Sequence, residues 1–346
     1  SFMKFGLIFS QSVPPKNGRD WHTPYKDMLE CLPRAEELGY KSCFQVSHHA
    51  QKDGLCPGPL IACSAAAAVT SEMRIGTGVL LVPLYAPLKL AEDIAVLDNV
   101  SNGRFVFGVA PGYVEEEFAA HQIPRSERVS RFEEALDLMI TAWTNDEFEF
   151  NGNHYQVPTT RMTPKPVQSP HPPIWYGVSA SKSLRRAAQR KCVQIMSPRH
   201  GPEELQQHFS PYEDEAKKLN WEIPERPIIR SIFVASTQKE AEEVAAPALN
   251  YLFTELYGAA SAAGERTLKA ADGTVITDKT QVGFENFKNR YIVGTPEFAI
   301  EQLSMYEKAV SPTEVICWMH LPGISGKDSM KSVELFAKEV MPVFQK

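Results

Sequence analysis

Short, nearly continuous apolar runs alternate along the chain with longer stretches in which apolar residues return every third or fourth position. The first pattern suits strands buried on both faces, and the second suits amphipathic helices. MKFGLIF (3–9) precedes a helical pattern over residues 25–38 that Gly39 stops, and KSCFQV (41–46) precedes GPLIACSAAAAVTS (58–71). MRIGTGVLLV (73–82) leads to LKLAEDIAVLDNVS (88–101), which ends at the turn signal Asn102-Gly103. RFVFGVA (104–110) passes through Pro111-Gly112 into residues 114–121 and then a helix over 128–145, with Phe132, Ala135, Leu136, Met139, Ile140 and Trp143 at helical spacing. EFEFNGNHYQV (147–157) reads as a hairpin with Asn151-Gly152 at its tip.

Beyond a proline-rich connection come PIWYGV, a helix SKSLRRAAQRK, CVQIMS, a helix near 202–219, RPIIRSIFVAS and a helix near 238–257. Periodicity fails over residues 258–290, which read as a long polar insertion, a mobile lid; it returns with TPEFAIEQLSMYEKA, TEVICWMHL and a last helix near 327–340. About eight strands, each followed by a helix, predict an α/β fold, a single (β/α)8 TIM barrel spanning residues 1–346 with its insertion near 258–290. Active sites of such barrels lie at the C-terminal ends of the strands.

Composition narrows the class. The 346 residues are 43% hydrophobic, enough for a large core, and the net charge of −6 argues against nucleic acid as a partner. No apolar run approaches a membrane span, so no membrane association is expected. Six cysteines without a C-x-x-C pair read as buried free thiols in a reducing compartment, so a cytoplasmic location is expected.

His48 and His49 lie just past the second strand, where chemistry is expected. Neighbouring strand residues point to opposite faces and no H-x-x-x-H accompanies them, so a metal site is disfavoured. A proton-transfer role suits imidazole; two polar residues at a strand end is the other reading. After the strand ending at Gly177, Ser179, Ala180 and Ser181 open a helix, and its free N–H groups suit either a phosphate or simple capping by serine. Glu115, Glu116 and Glu117 read as a solvated first helical turn, and Arg185, Arg186, Arg190 and Lys191 as a solvated helix face. Tyr113, Trp175 and Tyr176, beside strand ends, are candidates for a substrate pocket or for wall packing.

The stretch MRIGTGVLLVPLYAPLKLAEDIAVLDNVSNGRFVFGVAPGYVEEEF (73–118) closely resembles the bacterial-luciferase-like flavin-dependent monooxygenases. The histidine pair, RFEEALDLMITAWT, NGNHYQV, PKPVQSPHPPIW and VGTPEFAIEQL extend the resemblance over most of the chain. It implies a barrel that takes reduced FMN from a separate flavin reductase. O2 then adds to the flavin to give a hydroperoxide, which oxygenates a small organic substrate. It also implies that His48 is the active-site histidine with His49 its neighbour, and that Gly78–Val79 forms a non-prolyl cis peptide under the flavin ring. Gly177, Ser179, Ala180 and Ser181 would hold the flavin phosphate, and helices 58–71 and 88–101 would pair in a homodimer. Ser47, Ala110 and Pro111 replace an acidic residue, a reactive cysteine and a phosphate-binding arginine of luciferase, so the expected activity is non-luminescent. A deazaflavin-dependent hydride transferase and a non-catalytic flavin-binding relative are the alternatives.

Overall fold

The structure is a computed structural model and describes residues 2–15, 20–257, 275–276 and 283–346. Its first strands are β1 (Lys4–Phe9), β2 (Ser42–Gln45), β3 (Arg74–Thr77), β4 (Leu80–Leu81) and β5 (Phe105–Ala110). A hairpin of β6 (Phe148–Asn151) and β7 (Gln156–Thr160) follows, then β8 (Ile174–Tyr176), β9 (Val193–Gln194), β10 (Pro227–Val234), β11 (Ile292–Gly294) and β12 (Glu314–Trp318). The intervening helices are α1 (Thr23–Glu37), α2 (Pro59–Ala68), α3 (Pro87–Val100), α4 (Glu115–Ala120), α5 (Arg128–Thr144), α6 (Ser181–Gln189), α7 (Pro202–Lys218) and α8 (Gln238–Leu252). Two more, Pro296–Val310 and Gly326–Glu339, flank the last strand of the sheet.

The large sheet runs β11-β10-β12-β1-β2-β3-β5-β8-β9, all parallel. A parallel bridge between Met196 and Ile228 joins the β9 end to β10 and closes the (β/α)8 barrel. Side chains divide by strand parity, as the pleat requires. In β5, Phe105, Phe107 and Val109 pack outward under the helices, while Val106 joins an interior layer with Ile8, Phe44, Trp175, Ile229 and Ile316. No helix among the described residues is long and apolar enough to cross a membrane. All six cysteines are free, five of them buried.

At the N-terminal ends of the strands a polar cluster closes the barrel floor. Arg74 reaches Glu225 at 3.0 Å and the buried Glu314 at 2.9 Å, and its guanidinium lies 4.9 Å from the centre of the Trp175 ring. Ser42 Oγ donates to the other Glu314 oxygen at 2.6 Å.

One irregularity shapes the opposite, C-terminal face. Gly76 pairs with Val106 and Leu80 with Val109, so four steps along β3–β4 oppose three along β5. The extra residue is a bulge at Thr77–Val79, and bulges of this kind re-aim backbone near functional sites. Gly108 makes room for it: a Cβ there would sit 1.7 Å from the Thr77 carbonyl oxygen. Thr77 Oγ1 fastens the bulge by donating to the Gly108 carbonyl at 2.7 Å.

Most of residues 258–290 lies outside the described residues, so the expected lid does too. Of that segment, Phe284 and Phe287 are buried in a helical turn, and Phe287 stacks on Phe253 with ring centres 4.3 Å apart. These two aromatics anchor the end of a stretch that reads as wholly polar.

Removing the floor cation would leave the Glu314 carboxylate buried with one hydroxyl donor. Arg74→Met is therefore expected to cost about 3 kcal/mol in urea unfolding, with ligand binding at the far face of the folded protein unchanged. An unchanged unfolding midpoint would contradict this role.

Candidate active site

A cavity of about 290 Å3 opens at the C-terminal face of the barrel, where the segments after β2, β3, β5, β8 and β9 converge on the end of β12. That face and that size suit a small-ligand site. Its floor is the bulge: Gly78 and Val79 line it, and the peptide bond between them is cis. Gly177 faces Val79 so closely that a Cβ would meet Val79 Cγ1 at 2.5 Å.

His48 forms one wall. Its Nδ1 lies 2.9 Å from Oε1 of Glu117, a carboxylate with 0% exposure. The His49 backbone N–H donates to Oε2 of the same carboxylate at 2.8 Å. An ionised carboxylate only accepts, so Nδ1 carries the proton and donates it to Glu117, and Nε2 is the ring nitrogen left for other partners. Glu117 thus fixes the orientation of the His48 ring. It lies in the first turn of α4, where the positive end of a helix favours negative charge.

This corrects the reading of the three glutamates as a solvated turn. Glu115 and Glu116 are exposed, whereas Glu117 is buried beside Phe118. The signal lay in the spacing: Val114, Glu117, Phe118 and His121 share one face at i, i+3, i+4 and i+7.

The other expected residues divide. His49 does not line the cavity; it points the opposite way from His48, its ring 4.9 Å from that of His121 and 6.0 Å from that of Tyr85. Burial pulls the His49 imidazole below its ordinary range, against an opposing pull from Glu117. Tyr113 lines the cavity with its ring 6.1 Å from that of His48. Trp175 does not: it points inward but lies deeper, stacked on Phe44 at 5.5 Å in the barrel layer. Tyr176, next along the same strand, points outward and donates to Glu133 of α5 at 3.1 Å. Both are wall-packing residues, because strand parity and depth remove them from the mouth. Arg190, assigned to a solvated face, is half-buried in an ion pair with Glu133 at 2.7 Å.

At the start of α6, Gly177, Ser179 and Ala180 line the cavity together with Ser183. Ser181 is exposed and turned away, one helical position from the wall. Ala180, the residue before α6, offers no side-chain cap, which leaves the first N–H groups of the helix for a ligand. Two arginines absent from the sequence reading also line the cavity: Arg128, the first residue of α5, and Arg199, after β9. No carboxylate of the described residues lines it, in a chain whose net charge is −6. Two buried polar atoms on its wall, Ser47 Oγ and Trp318 Nε1, have no hydrogen-bond partner among the described residues. The described residues contain no cluster of three or more metal-ligand side chains.

A TIM barrel with a histidine–carboxylate pair and an uncapped helix start around one cavity has the form of a small-molecule enzyme. Residues 3–311 match the model of the luciferase-like monooxygenases, and the chain belongs to that family of oxidoreductases. It is 29% identical over 330 residues to the oxygenase component of the flavin-dependent trigonelline monooxygenase of Acinetobacter baylyi, covering 92% of this chain and 90% of that protein. Monooxygenase RslO1 of Streptomyces bottropensis shares the fold at a TM-score of 0.86 and 24% identity, over 99% of this chain and 100% of that one. So does the oxygenating constituent of 3,6-diketocamphane monooxygenase from Pseudomonas putida, solved with FMN, at 0.81 and 21% over 99% and 98%.

Near the mouth, His320 follows β12 with its ring 4.8 Å from that of Phe9 and both nitrogens unpartnered among the described residues. Burial lowers its pKa from 6.5 to about 4. The unfolded chain therefore takes up a proton near pH 6.5 that the folded protein refuses until about 4. Its contribution to stability is complete above pH 6.5 and lost progressively below it. Unfolding free energies at pH 7.5 and 5 are expected to differ by less in His320→Gln than in wild type; an equal difference would show that His320 does not charge on unfolding.

Proposed function

We propose that this protein uses reduced FMN and O2 to oxygenate a small organic substrate through a flavin hydroperoxide, without light emission. The reading rests above all on the juxtaposition, in one cavity, of the Glu117-oriented His48, the bulged Gly78–Val79 bond and the uncapped start of α6. The residues present fit an FMN-sized group. Ser179, Ser183, Arg128 and the first N–H groups of α6 would hold its phosphate, standing in for the arginine that Pro111 replaces. Val79 and Gly78 would support its ring, the close fit of Gly177 keeping that floor flat. The unpartnered Ser47 Oγ and Trp318 Nε1 supply polar contacts that a dry apolar wall would not need.

The oxygen chemistry belongs to the reduced flavin; the chain's part is to position, to exclude water and to govern one proton. His48 Nε2, aimed by Glu117, is the group that accepts or returns that proton. The relative from Acinetobacter is an oxygenase component, which supports a separate reductase as the source of reduced flavin. The small-residue helix α2 packs on α3, and Ile61, Val96 and Val100 are exposed on these two helices, which supports pairing with a second copy. Six free cysteines support a reducing, cytoplasmic location.

Stopped-flow mixing of the reduced FMN complex with oxygenated buffer tests the reading. The expected result is a transient absorbing near the blue–ultraviolet edge that outlives the one formed with free flavin. His48→Ala should shorten its life by about 10²-fold and Glu117→Gln by about tenfold, with FMN affinity unchanged in both. Reoxidation without a transient, or binding of a deazaflavin in place of FMN, would overturn it.

A further inference from the structure

Two arginines line the cavity wall, and they come from different elements. Arg128 opens α5 and lines the cavity together with Ser179, Ala180 and Ser183, and the flavin reading assigns it to the phosphate. Arg199 rises from a different turn, after β9, and its charge is felt at Tyr113, the neighbour of His48.

The Arg199 turn is built rather than incidental. Arg230 of β10 is fully buried and spends its guanidinium on backbone, donating to the Pro198 carbonyl at 3.0 Å and to the His200 carbonyl at 2.9 Å. It therefore grips the residues on either side of Arg199. A further donation to the Arg290 carbonyl ties the same group to the turn before β11, and Arg290 in turn pairs with Glu204 at 3.3 Å. Arg199 itself is 6% exposed, and its Nε donates to Ser197 Oγ at 3.2 Å. Burying Arg230 and Arg290 beside the buried Arg199 is costly, and a cation held this firmly suits recognition of a planar anion. On the same wall Trp318 Nε1 can only donate, and no carboxylate of the described residues lines the cavity.

We infer that the substrate is a small organic carboxylate, its anionic group held by Arg199 and its apolar body lying against Ile195, Ile229 and Trp318 beside His48. This rests on the flavin reading only in assigning the other arginine to the phosphate.

Calorimetric titration of the full chain, with and without saturating FMN, tests it with acids and their neutral isosteres: benzoate against benzamide, nicotinate against nicotinamide. Each acid is expected to bind at least about tenfold more tightly than its amide. Arg199→Gln should abolish that preference, Arg199→Lys should keep part of it, and neither should move FMN affinity by more than about twofold. Equal binding of acid and amide, binding of neither, or a tenfold loss of FMN affinity in Arg199→Gln would overturn the inference. If Arg199→Gln does not fold, the wild-type preference and the lysine variant still decide. Failure of the wild type to bind FMN would tell against the flavin reading alone, because the charge preference is also measured without FMN.

Discussion

The Glu117 carboxylate is the point on which the site depends. A fully buried carboxylate is expensive unless donors surround it, and here those donors are His48 Nδ1 and the His49 backbone N–H. The two bonds tie the short helix α4 to the loop after β2, elements nearly seventy residues apart. They also choose the His48 tautomer. A buried charge that would be a liability in a packing core becomes, at the barrel mouth, the means of aiming one imidazole.

The other parts follow from how a parallel barrel is made. Its strands are buried on both faces, so the interior is filled by Phe44, Val106, Trp175 and Ile316 and leaves room for a ligand only at the C-terminal rim. At that rim the bulge between β3 and β4 brings Gly78 and Val79 inward, and Gly108 and Gly177 are the positions where any side chain would collide with it. Stability sits at the other end, in the Arg74–Glu225–Glu314 cluster. The separation lets the mouth carry two arginines and donors unpartnered among the described residues while the floor holds the ring together.

The barrel was legible because apolar runs and helical spacing report directly on burial, and the strand–helix order leaves few other topologies. Positions at the rim were legible to the extent that they follow from strand ends, as with His48, Gly177 and Ser179. What failed depended on direction or on distant partners. Tyr176 and His49 each lie one residue from a cavity-lining position and face away, since parity cannot be phased from a strand end alone. Glu117 was hidden by two exposed glutamates beside it, although its helical face with Val114, Phe118 and His121 would have exposed the difference. Arg199 carries no local signal, because what holds it in place is Arg230, in another strand, and the carbonyls that Arg230 grips. The family resemblance supplied the Gly78–Val79 bond, which no periodicity could.

The most direct measurement is a crystal structure of the protein soaked with FMN under anaerobic reduction. The account predicts the phosphate against Ser179, Ser183, Arg128 and the first turn of α6, the ring on Gly78–Val79, and its reactive edge toward His48, with Glu117 still bonded to Nδ1. A flavin bound elsewhere, or a cavity in which His48 has turned away from both flavin and Glu117, would contradict it.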